Sequence, residues 1–170
     1  MTTETARPVR QDLLGVYLND HLAGATLGAG LARRMAASAE PGTESTRVLS
    51  ELAGEIAEDR SALVKIMGTL GLRVRGYKVF AAWAGEKAGR LKLNGHLLTR
   101  SPLSGLEETE MLRLGVEGKA AVWRTLRVLA EGEGLLDAGY LDRLLARADR
   151  QSRLLESLRV SLAGQVLTAR

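Results

Sequence analysis

Residues 71–101 read GLRVRGYKVFAAWAGEKAGRLKLNGHLLTRS, and the length of this stretch decides the fold. On either side of it lie two long segments in which apolar residues recur every three or four positions, the period of a helix with one buried face. No segment alternates apolar and polar residues as a half-buried strand does. The three prolines, Pro8, Pro41 and Pro102, stand at or before helix starts and spare the helix interiors. Four helices of roughly 27–30 residues, each about 40 Å long, build a bundle. A short turn joins helices 1 and 2, and another joins 3 and 4, so each pair is an antiparallel hairpin. A connection of 31 residues between helices 2 and 3 can cross the whole bundle. The expectation is an all-α, single-domain four-helix bundle over 1–170. Its long crossover joins helices 2 and 3, which run parallel, and residues 1–10 form a flexible tail.

The punctuation sets the helix limits. The first helix is expected from Gln11 to Ala37, with Leu14, Leu18, His21, Ala25, Gly28, Ala32 and Met35 along one stripe. A parallel stripe holds Leu13, Tyr17, Gly24, Leu27 and Leu31. Thr43 or Ser45 caps the second helix, which carries Leu49, Leu52, Ile56, Asp59, Leu63, Ile66 and Leu70 and ends at Gly71. The third helix runs from Pro102, capped by Ser101, to Ala130, with Met111, Leu114, Gly118, Val122, Thr125 and Leu129 inward and Trp123 off the stripe. EGEG at 131–134 breaks it, and Asp137 caps the fourth helix, Ala138 to Leu167. The small residues of AGATLGAG (23–30), with Gly115 and Gly118, would let two helix backbones come close, at a cost of up to ~1 kcal/mol of helix propensity per glycine.

The segments YLNDHLAGA (17–25), EIAEDR (55–60), GEKAGRLKLNG (85–95) and LRLGVEGKAAVWR (112–124) carry a resemblance. With them the chain resembles a family of small actinobacterial helical-bundle proteins, a likeness that covers most of the chain and brings no known activity with it. The abundance of arginine over lysine fits a GC-rich genome. In its connection lengths the chain also resembles, distantly, the ferritin-like four-helix proteins. That second likeness implies a topology, and topology alone does not imply chemistry. Ferritin-like di-iron centres draw on Glu-x-x-His from two helices. Here the residue three before His21 is Leu18, and three before His96 is Leu93, so the motif is absent.

Polar residues nonetheless interrupt the apolar stripes at one level. His21 of helix 1 falls opposite about position 60 of helix 2, so His21 and Asp59 are expected to meet inside, with Glu55 one turn away. On the other hairpin Glu117 falls level with Ser152, next to Gln151. Buried polar groups demand partners, so one reading is a layer of satisfied hydrogen bonds that fixes helix register. The other is a divalent-metal or small-ligand site built from His21, Glu55, Asp59 and Glu117, since one imidazole with three carboxylates suits a hard or borderline ion. No other cofactor is implied.

Composition excludes much else. Cysteine is absent, which removes disulfides, thiolate metal sites and cysteine nucleophiles. No Gly-x-Ser-x-Gly, Walker loop or His-Glu-x-x-His occurs, so catalysis is not expected. No apolar run approaches the ~18 residues of a membrane span, no signal peptide is evident, and a cytoplasmic location is expected. The net charge of +4 is not spread evenly. Residues 1–70 carry a net −2 and residues 102–170 a net 0, while 71–101 carry +6. A short helix from Tyr77 to Arg90 would set Tyr77, Phe80 and Trp83 along one face, among Arg73, Arg75, Lys78, Lys87, Arg90 and Lys92. This face either packs on the bundle, with its cations in water, or forms an interaction surface. As a surface it suits an acidic protein partner or an anionic membrane, and nucleic acid less well. Long helices with small-residue faces also suit a homodimer. The expected role is non-catalytic, structural or protein-interacting, with interior binding of a divalent metal or small ligand as the alternative.

Overall fold

The computed structural model describes residues 9–75 and 103–168. They form four helices: α1 (Gln11–Ser38), α2 (Glu44–Thr69), α3 (Ser104–Glu133) and α4 (Ala138–Leu167). The sequence-predicted short helix from Tyr77 to Arg90 and the Ser101–Pro102 cap lie outside the described residues.

Local chemistry sets the ends. The Thr43 hydroxyl accepts from the Thr46 amide at 3.2 Å, and an Asp137 carboxylate oxygen accepts from the Tyr140 amide at 3.0 Å. Each satisfies one of the unpaired donors of a helix N-terminus. Gly71 turns left-handed (φ 68°) after α2, and the Leu72 amide donates back to the Met67 carbonyl at 2.9 Å. EGEG ends the third helix as expected, but three residues later than Ala130. Its first three residues remain helical, and only Gly134 (φ 64°) ends it, donating to the Ala130 carbonyl.

Contacts between helices give the topology. The Tyr17 and Thr125 hydroxyls lie 3.3 Å apart, and Leu14 meets Leu129, Leu70 and Leu136 around one small apolar recess. The start of α1 therefore sits at the ends of both α2 and α3. Glu55 faces Arg150 while Glu58 faces Arg147, so α2 and α4 are antiparallel. The hairpins α1–α2 and α3–α4 thus stand side by side with α2 and α3 parallel. The end of α2 and the start of α3 lie at opposite ends of the bundle, as the length of 71–101 predicts. No described helix is long and apolar enough to cross a membrane.

The core is continuous except at one level. Leu14, Leu18 and Leu22 of α1 are buried, and the series resumes only at Ala32 and Met35. On α3 the buried series is Leu112, Val116, Ala120, Trp123, Leu126 and Ala130, together with Val122, which was expected inward. This corrects the expected face of α3. Met111 and Leu114 are 54% and 65% exposed, whereas Trp123, expected off the stripe, is 1% exposed. The two stripes share one period and differ by about a quarter turn, and the large indole takes the core.

Candidate functional site

At the level where α1 stops contributing buried residues, a half-open pocket of about 170 Å³ lies between α1 and α3, with Gly24 and Gly115 of its walls exposed. Gly24, Ala25 and Gly28 of α1 form one wall, and Gly115 and Gly118 of α3 face them. Ile56, Leu63, Leu112, Val116, Val122 and Trp123 complete the apolar lining. A methyl group added at Gly24, Gly28, Gly115 or Gly118 would meet no atom within 4 Å. The glycines therefore do not bring the backbones into contact, as their spacing led one to expect. They border open space on the pocket's walls. The Trp123 indole is buried, and among the described residues its Nε1–H has no hydrogen-bond partner.

Asp59, Lys119 and His21 are the polar residues at the cavity wall. Asp59 is 1% exposed, a charge that needs compensation to remain buried. It receives three partners. Lys119 of α3 and Arg147 of α4 each form an ion pair with it, and Gln151 Nε2 donates to it at 3.2 Å. Gln151 Nε2 also donates to Glu55 at 2.9 Å, while its Oε1 accepts from Lys119. Arg150 pairs with Glu55, and Arg147 reaches Glu58 at 2.8 Å. Three carboxylates thus face three cations, and the layer joins α2, α3 and α4. Burial lowers the Lys119 pKa, against the pull of the Asp59 carboxylate.

The sequence-predicted site residues separate into three groups. Glu55 and Asp59 share the ion layer, with Gln151 between them. Glu117 accepts from Ser152 at 2.7 Å, at the predicted level but on an exposed face of the α3–α4 hairpin. His21 lines the cavity and stacks edge-on against Tyr17, ring centroids 4.5 Å apart, and it makes no hydrogen bond with Asp59. Burial lowers its pKa, opposed by the nearby Asp20 charge. Among the described residues, no three His, Asp or Glu side chains come together as a metal-ligand set. The Asp59 carboxylate instead holds the cations of Lys119 and Arg147.

Lys119, Arg147, Arg150 and Glu58 are the members of this layer that sequence reasoning missed, and of these Lys119 and Arg147 pair with Asp59. Both lie beside the apolar stripes and reach in with long side chains. The only signal was Asp59 itself, a carboxylate on a core stripe that must find a cation. Of the expected basic and aromatic surface, Arg73 and Arg75 are exposed. Asn19 ties this segment to α1, donating to the Arg73 carbonyl at 3.1 Å and accepting from the Arg75 amide at 2.7 Å. Tyr77, Lys78, Phe80, Trp83, Lys87, Arg90 and Lys92 lie outside the described residues. Comparison with family models, with curated proteins and with solved structures found no match.

Proposed function

We propose that this chain is a non-catalytic helical-bundle protein that binds a small, largely apolar molecule in the pocket between α1 and α3. The observation that carries the reading is the half-open, largely apolar pocket of about 170 Å³ between α1 and α3, where a Cβ at any of its four glycines would meet no atom within 4 Å. An apolar cavity of ~150 Å³ is enough to hold a six-membered ring. Lys119 at its wall disfavours a divalent cation as the occupant. From the ferritin-like likeness the reading takes the order of connections and none of the di-iron chemistry.

The test is titration of cyclohexane, monitored by Trp fluorescence and by thermal unfolding. Binding to the native state raises Tm in proportion to RT ln(1 + [L]/Kd). Saturable binding that disappears when Gly28 and Gly118 are both changed to Ala is expected. A wild-type protein indifferent to the probe up to its solubility rejects the reading.

A second reading, protein interaction, has its own observation. Leu27, Met111 and Leu114 are exposed beside the cavity residues of α1 and α3. The partner it suits is a second copy of the chain. Light scattering would then give a mass that rises with concentration and falls back on Leu114→Lys. A constant monomer mass removes this reading.

A further inference from the structure

The faces of the bundle are not alike. Among the described residues, ion pairs between helices join α3 to α4 and α2 to both of them, and none joins α1 to α3. The α1–α3 face carries instead two stripes at helical spacing, 13–17–20–24–27–31–34 on α1 and 107–111–114–118–121–125 on α3. Tyr17 meets Thr125 between them, and Gly24 and Gly118 line the pocket, so the stripes border one groove. Leu13, Leu27, Met111 and Leu114 are exposed along it. The charges in the two stripes are Asp20, Arg34 and Glu107.

The face has the size of a stable interface. Helices of 28 and 30 residues make it about 40 Å long, and two helices side by side are about 20 Å wide. That is about 800 Å² per copy, the share of each partner in an interface of standard size.

Charge sets the register. Antiparallel helices matched at Tyr17 and Thr125 put Leu27, Leu31 and Arg34 within one residue of the levels of Leu114, Met111 and Glu107. Arg34 and Glu107 are exposed, and neither has an ion-pair partner among the described residues. A two-fold axis along the bundle lays α1 of one copy on α3 of the other and keeps these levels. Each Arg34 then meets the partner's Glu107, and each Leu27 the partner's Leu114. A two-fold axis across the bundle reverses the levels and sends Arg34 and Glu107 to opposite ends of the interface.

Resting on the second reading above, we infer that a second copy of the chain packs on the α1–α3 face about a two-fold axis along the bundle, with α1 of each copy on α3 of the other. The glycine level lies at the centre of the contact. The two half-open pockets therefore open toward each other, away from bulk water.

The experiment measures the dimer dissociation constant by sedimentation equilibrium. Arg34→Glu sets two carboxylates together at each of the two symmetric contacts. It should weaken the dimer about fivefold to thirtyfold. Adding Glu107→Arg restores opposite charges and should bring the affinity back to within about twofold of wild type. Both positions are exposed, and circular dichroism checks that the helices persist. The chain has no cysteine, so single cysteines give a second measurement. Leu27→Cys mixed with Leu114→Cys should form a disulfide-linked pair under mild oxidation, and neither variant alone should. A single variant that links to itself, or a double reversal that fails to restore affinity, overturns this register and leaves the dimer reading standing. A wild type that stays monomeric at every concentration, or a dimer indifferent to Leu114→Lys, overturns both.

Discussion

Filling the cavity from its own walls should stabilise the protein and end its capacity to bind. Gly28 and Gly118 lie within α1 and α3, away from the three left-handed glycines at 42, 71 and 134. Neither position needs the conformational freedom of glycine, and a Cβ at either meets nothing within 4 Å. Gly→Ala in a helix interior recovers ~0.8–1 kcal/mol of propensity, because the unfolded chain loses freedom and no side-chain entropy is added. Each new methyl meets no atom within 4 Å, so neither has to displace a neighbour. The Gly28→Ala, Gly118→Ala variant should therefore gain about 1.6–2 kcal/mol. For a chain of this size that is a rise in Tm of about 3–8 °C, at ~2–4 °C per kcal/mol. In urea, with a slope of about 2 kcal/mol per M, the midpoint should rise by about 1 M with the slope unchanged. Circular dichroism against temperature and urea measures both. A fall in stability would refute the reasoning. It would mean that α1 and α3 touch at this level and that the methyls collide, as the small-residue pattern alone suggests.

Other consequences follow from the ion layer and its neighbours. Asp59→Ala leaves Lys119 and Arg147 facing no common carboxylate. The expected cost is ~3–5 kcal/mol, read as a drop in urea midpoint, and a loss below 1 kcal/mol would show that the layer is not buried. His21 has a folded pKa below its unfolded value. Its contribution is thus fully present above about pH 6.5 and is lost as pH falls through the folded pKa. Thermal melts should show this decline in wild type and its absence in His21→Gln, separate from the carboxylate losses nearer pH 4; parallel profiles would contradict it. Asn19→Ala should cost about 1–2 kcal/mol through two lost bonds to the backbone at 73–75, with faster amide exchange at Arg75. Unchanged exchange there would dismiss Asn19 as the tie.

The parts of the fold legible in sequence were those fixed by local chemistry or by length. Thr43, Gly71 and Asp137 mark helix ends because capping and left-handed turns favour those residues. The parallel run of α2 and α3 follows from how far 31 residues can reach. The inward face of α3 was not legible. Periodicity gives the spacing of a stripe and leaves its phase open, and 111–114–118 repeats as well as 112–116–120. Weight given to the indole of Trp123 would have fixed the phase. Asp59 stood out as a charge on a core stripe, whereas Lys119 and Arg147 approach from its flanks. The cavity depends on which glycines face each other across two helices far apart in sequence. AGATLGAG therefore reads equally well as close packing or as a space, and only the distance between α1 and α3 separates the two.

The pocket and the ion layer share Asp59 and Lys119, and this coincidence bears on the two readings of the polar level. A layer that only fixes helix register needs paired polar groups, which Asp59, Gln151 and Lys119 already provide. It has no use for Gly24 and Gly28 opposite Gly115 and Gly118, each of which weakens its helix by up to ~1 kcal/mol relative to alanine. Buried ion pairs, for their part, are often no more stabilising than apolar residues of similar volume. The bundle thus forgoes stability twice at one level, in its helix propensity and in its core. Departures from the rules of a stable core that cluster in one place mark sites kept for something other than stability. A largely apolar pocket beside a charge-balanced wall is what the two departures together produce, and neither produces it alone.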